Sequence, residues 1–140
     1  MSSSMQRTWK TEDFNSLSWH DNLVRLLVFP SADLLLAFHI DHILQWIPPK
    51  NPEDLYSFKV APAVLSFSNV LELSVRLDFG HSSSLYIDEI YRKKASSTVS
   101  KKFWRYSVQT DKGNIQFLAT DFAQRLTGPA KVSKSQKLDL

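Results

Sequence analysis

The chain has 140 residues, 43% of them hydrophobic and 22% charged, with a formal net charge of +3. That is the size of one domain with a sizeable core, and the charge is too mild for a built polyanion surface. No cysteine is present, which excludes disulfides, thiolate metal sites and a cysteine nucleophile.

Residues 1–10 are polar and are expected to be flexible. The opening MSSSMQRTWKTEDF has no apolar core of signal-peptide length, and no apolar run approaches about 20 residues. The expectation is a cytoplasmic protein that crosses no membrane. A single β-rich domain is expected over 11–126. It opens on a short helical turn over 11–17, with Thr11 as its cap and Glu12 and Asp13 in its first turn.

Residues 23–29 form the first strand. Pro30, Ser31 and Asp33 turn the chain into a second, over 34–47. Its even positions are apolar except His42, and its odd face carries His39, Asp41 and Gln45. Fourteen residues is long for one strand, so a bulge is expected near Asp41–His42. A proline-rich loop over 48–55 leads to an extended segment over 58–67, where Pro62 predicts an edge or a bulge. Alternation is cleanest from Leu71 to Phe79, which reads as a half-buried strand. Further strands follow over 85–91, 103–110 and 115–120. A polar connection over 93–101 precedes the last two, which pair through Asp111-Lys112-Gly113 with Gly113 at positive φ. The period-2 core is expected to contain Leu73, Val75, Leu77, Trp104, Val108, Ile115 and Phe117. After Gly128 the lysine-rich segment 127–140 is expected to be disordered.

Strands dominate, hairpin signals separate them, and no helix of ten or more residues has a 3.6 period. The fold class is mainly β: an antiparallel β-sandwich or a strongly curved sheet of six to eight strands, with at most one or two short helices.

One polar cluster stands out. His20 and Asp21, in SWHD, and His39, Asp41 and His42, in FHIDHI, are residue types that ligate zinc, iron or manganese. If 23–29 and 34–40 form a hairpin, His20 falls roughly opposite 41–43. Regular strand geometry, however, sends His42 to the face opposite His39 and Asp41. We therefore expect no tightly bound metal at His20, His39, Asp41 and His42, and no cofactor. The residues are read first as structural: His42 as a core histidine and Asp21 as a backbone cap. Other catalytic signals are absent. Three scattered glycines cannot cradle a phosphate, no serine sits on a nucleophile elbow, and Asp88 and Glu89, adjacent on a strand, face opposite ways. His81 lies in a turn.

Arg92, Lys93, Lys94, Lys101, Lys102 and Arg105 flank Phe103, Trp104 and Tyr106. Cations beside aromatics can hold phosphates and stack bases. The same aromatics alternate as core residues would, so a solvated loop over a buried strand is the reading taken first.

Ser18-Trp19-His20-Asp21, Ile40-Asp41 with Trp46, Ala61-Pro62-Ala63 and Phe67, Asn69 and Val70 form one ordered pattern. Ile87-Asp88-Glu89-Ile90 and the closing run of Trp104, Gly113, Ile115, Phe117, Ala119, Thr120 and Phe122 extend it. Over roughly 15–123 the chain resembles a group of small uncharacterised bacterial β-rich proteins and, more loosely, immunity proteins of bacterial toxin systems. The resemblance implies a bacterial binding or interaction protein that is immunity-like. Such a protein covers a partner protein and needs no catalytic group. The alternatives are a metal-dependent enzyme with a His/Asp site and a nucleic-acid-binding β domain.

Overall fold

The computed structural model describes residues 6–95 and 102–138. They form one antiparallel sheet of ten strands and a single short 3-10 helix. The strands are Thr8–Lys10 (β1), Asn22–Val28 (β2), Leu36–Ile47 (β3), Ser57–Ser68 (β4), Leu71–Leu77 (β5), Tyr86–Lys94 (β6), Trp104–Thr110 (β7), Gly113–Ala119 (β8), Asp121–Leu126 (β9) and Lys131–Ser133 (β10). The sheet order is β1-β9-β4-β3-β2-β6-β7-β8-β5, and β10 pairs with the first part of β4.

The mainly-β expectation holds, in its strongly curved form. Strands β4 and β8 stand five places apart in the order. In a flat sheet that is about 24 Å, at about 4.8 Å per strand. Yet the ring centroid of Phe67 on β4 lies 4.7 Å from that of Phe117 on β8 and 4.9 Å from that of Tyr106 on β7. The sheet has folded over onto its own apolar face. The fold line is the short β2–β6 pairing, where Asn22 is opposite Ile87 and Leu23 opposite Tyr86. Phe38, Leu65, Phe67, Ile87, Tyr106, Val108, Ile115 and Phe117 fill the enclosed space. The 3-10 helix Thr11–Ser16 closes one end, with Phe14 against Trp19, Tyr106 and Phe122. Thr11 is not its cap. Its hydroxyl instead accepts the N–H of Phe122, and Lys10 holds the cap position.

Ten strands replace the expected six to eight because β1 and β10 are only three residues long and β9, though it alternates in burial, places the polar Gln124 among its inward positions. Strand β1 is three residues long and lies in the segment read as a flexible N-terminus, of which residues 1–5 are outside the described residues. A single residue, Thr120, separates β9 from the end of β8. Strand β10 lies in the segment 127–140 read as a disordered tail. Residues 127–138 are in fact ordered. The Thr127 N–H bonds the Pro62 carbonyl at 2.8 Å, and Lys131–Ser133 pair with Phe58–Val60. Polar composition misled here because these residues borrow hydrogen bonds from a buried strand rather than burying their own side chains. Pro62 marks the handover, since β10 pairs up to Val60 and β9 from Ala63. The missing proline N–H falls in the gap between those two partners.

Strand β5 corrects the core expectation. Val108, Ile115 and Phe117 are fully buried, and Leu73, Leu77 and Trp104 are half-buried against the core, but Val75 is 38% exposed. Strand β5 is the edge of the sheet, bonded only to β8, and its register slips between Leu71 and Ser74. Clean alternation reports two-sidedness and not depth. The β7–β8 hairpin turns through Asp111-Lys112, and Gly113 has φ +140°.

Candidate functional site

An irregularity in an otherwise regular ladder builds the polar face of β2, β3 and β4. The β2–β3 register pairs Val24 with Ile40 and Leu26 with His39, so Arg25 is an extra residue. A bulge re-aims its side chain. Arg25 meets Asp41 with two nitrogens, Nε at 3.1 and 3.2 Å and Nη2 at 2.7 Å. Asp41 is 2% exposed. The bond from Asp41 raises the Arg25 pKa above its ordinary value, against a smaller desolvation.

The pair is also joined to the C-terminal segment. Arg25 Nη2 donates to the Leu138 carbonyl at 2.7 Å, and the Leu138 N–H donates to Asp41 Oδ2 at 2.9 Å. Both main-chain groups of one residue are thus satisfied by one ion pair. The Leu138 side chain packs on a separate small apolar cluster of Ile43, Phe58 and Val60. Two residues earlier, Gln136 Nε2 donates to Asp21 Oδ2 at 2.8 Å. Residues 127–138 therefore cross the sheet as a strap. A groove of about 820 Å³ lies between strap and sheet, lined by Arg25, His39, Pro62, Lys131, Val132 and Lys134 among others.

The structure separates the His–Asp cluster expected from the sequence. Asp41 is taken by Arg25 and the strap, and His39 faces the groove. His42 points into the core on the other side, 3% exposed, against the edge of Trp9. The expected bulge at Asp41–His42 lies instead between Ile43 and Gln45, so His42 stays on the face opposite Asp41. Asn22 Oδ1 accepts the Ile43 N–H, which leaves its Nδ2 to donate to His42 Nδ1 at 2.7 Å. That network assigns a neutral ring with its proton on Nε2. Burial pushes the His42 pKa down to about 4.

His20 and Asp21 gather a different partner. Among the described residues, His20, Asp21 and Asp88 each offer one ligand atom, all within 4.8 Å of one another. His20 Nδ1 lies 3.2 Å from the Asp88 carbonyl, to which it can only donate, and its Nε2 lies 3.4 Å from Asp21 Oδ2. The His20 ring stacks beside Trp46. Asp21 holds φ +64°, a left-handed conformation that aspartate tolerates. Regular alternation sets Asp88 and Glu89 on opposite faces, but Asp88 too is an extra residue, because Ile87 pairs with Thr110 and Glu89 with Gln109. The sequence held a signal for this: Ile87 and Ile90, both buried, are three residues apart and not two.

The basic stretch is not laid out as a base-stacking platform. The Arg92 guanidinium lies over both the Phe14 and Trp104 rings, and Lys94 lies over Trp104. Arg105 pairs with Glu72 at 3.5 Å. Lys93 is on β6, Lys102 precedes β7, and Lys101 lies outside the described residues. His81 is exposed in the turn after β5. No described helix is long and apolar enough to cross a membrane.

Compared with known proteins, the chain matches no family model, no curated protein and no solved structure. The likeness to small bacterial proteins therefore stays an expectation.

Proposed function

We propose that this is a protein-binding domain that acts without catalysis, holding an extended segment of a partner protein on the face of β2, β3 and β4. The observation that carries this reading is the treatment of Leu138. Arg25 and Asp41 bond its carbonyl and N–H, and Ile43, Phe58 and Val60 receive its side chain. Main-chain bonds for affinity with a pocket for one side chain is a recurring way to bind an extended peptide. The strap shows what such a segment looks like when bound. A second contact region is the end of the β2–β3 hairpin, where Leu26, Val28, Phe29, Leu34 and Leu35 are exposed. Exposed apolar side chains grouped in this way mark interaction surfaces. An immunity-like role in a bacterial cytoplasm, covering a toxin, is the specific form suggested by the resemblance and by the lack of cysteine.

The test uses the full chain carrying Leu138→Glu, which vacates the apolar pocket, and a labelled peptide of residues 133–138. The variant should bind the peptide saturably below about 1 mM. The unaltered chain should bind it at least about tenfold more weakly, because its tethered strap competes at millimolar effective concentration. A peptide N-methylated at the leucine lacks the N–H that Asp41 accepts and should lose about tenfold. Absence of binding to the variant, or equal binding of the methylated peptide, rejects the reading.

The metal-dependent alternative is favoured by one observation, the grouping of His20, Asp21 and Asp88. Tetrahedral zinc with bonds of about 2.0–2.1 Å sets its ligand atoms about 3.3–3.4 Å apart. His20 Nε2 and Asp21 Oδ2 are 3.4 Å apart. With His20 Nδ1 against the Asp88 carbonyl, Nε2 is the ring atom left for a cation, beside Asp21 Oδ2. Elemental analysis of protein purified without chelator or a metal-carrying tag decides. The binding reading expects less than about 0.1 metal per chain. Near-stoichiometric zinc, lost in Asp88→Asn, would establish the alternative.

A further inference from the structure

The groove beneath the strap carries charge that the clamp does not use. Arg25 and Asp41 neutralise each other, and Arg25 also spends a donor on Leu138. Lys131, Lys134 and His39 line the same space. Among the described residues, none of their side chains makes a hydrogen bond or ion pair with the protein. The rest of the lining includes apolar residues. Pro62, Pro129 and Val132 face the groove, and Val132 is left 69% exposed on a paired strand. A volume of about 820 Å³ is that of a small-molecule site, typically about 300–1,000 Å³.

We infer that this groove binds a small organic anion with an apolar body, its carboxylate or phosphate head between Lys131, Lys134 and His39 and its chain against Pro62, Pro129 and Val132. The head exchanges water for two ammonium groups and an imidazole donor, which form charge-assisted hydrogen bonds. A neutral molecule of the same shape gains only the apolar contacts. A cation meets two unopposed lysines. The strap contributes Lys131, Val132 and Lys134, and β3 contributes His39, so the ligand joins the strap to the sheet.

Calorimetric titration of the full chain with octanoate and octanol tests this. Octanoate should saturate one site, with octanol at least about tenfold weaker. The double substitution Lys131→Gln, Lys134→Gln should weaken octanoate at least about tenfold while leaving the thermal melt unchanged, since neither lysine is bonded to the protein. The His39 ring resonances should shift with octanoate and not with octanol. No saturable octanoate binding below about 5 mM, equal octanol affinity, or binding indifferent to the double substitution overturns the inference. Pelleting with phosphatidylglycerol vesicles, lost in the double variant and without saturable octanoate binding, assigns the lysines to a membrane surface and overturns it too. The peptide experiment reads the Arg25–Asp41 clamp, so either result can fail while the other stands.

Discussion

Lowering the pH from 7 to 4 should remove about 3 kcal/mol of folding stability through His42 alone. In the unfolded chain residue 42 takes up a proton near the ordinary histidine value of about 6.5. In the folded chain burial pushes that value down to about 4. Between the two, the unfolded state binds the extra proton and the folded state does not. The stability is therefore whole above 6.5 and is lost progressively as pH falls to about 4. The hydrogen bonds agree in sign. Asn22 Nδ2 already donates to His42 Nδ1, so a second ring proton would set donor against donor in a buried site. Urea unfolding at a series of pH values measures the slope, and His42→Gln should flatten it while the exposed carboxylates go on titrating in both proteins. An identical slope in the variant would show that His42 does not carry the effect.

Gly113→Val should cost roughly 3–5 kcal/mol. Two penalties act together. The backbone at Gly113 has φ +140°, where a β-branched residue is strained. A Cβ built there would also lie 1.9 Å from the main-chain oxygen of Arg76 on β5. That oxygen belongs to the edge strand, which can retreat only by giving up its pairing with β8. The melting temperature should fall by at least about 10 °C. Gly80→Ala makes a useful contrast, because that glycine has positive φ with nothing within 4 Å of its missing Cβ. It should cost about 1 kcal/mol. Equal losses at the two positions would mean that the close approach to Arg76 is not what matters.

Seven of the ten strands, and the hairpin at Asp111-Lys112, were legible in period-2 alternation and turn chemistry. The residues that make the polar face were not, for one physical reason. Alternation assigns a side chain to a face only while the ladder is unbroken, and Arg25 and Asp88 are the residues inserted where it breaks. Asp21 turns the chain through a left-handed conformation that nothing in its neighbours demands. A His–Asp grouping could be suspected from residue types. Its membership could not, because Asp88 comes from a strand far along the chain and Gln136 from a segment whose composition suggests disorder. The strap escaped detection for a related reason. Its order depends on donors and acceptors left over by β4 around Pro62, which is a property of the sheet and not of the strap.

The pairing scheme bears on how the chain can fold. Strand β4 lies near the middle of the sequence, but its outer edge is completed only by β9 and β10, and β9 in turn receives β1, with Thr8 opposite Arg125. These contacts join residues far apart in sequence, and loop closure must be met before they give anything back. Until residues 121–133 arrive, β4 presents twelve residues of unpaired strand with Phe58, Val60, Leu65 and Phe67 along it. An open, apolar edge of that length recruits other chains as readily as its own. Docking of residues 121–133 thus covers an edge open to aggregation, and the lysines and serines of 131–137 keep that segment soluble until it finds β4.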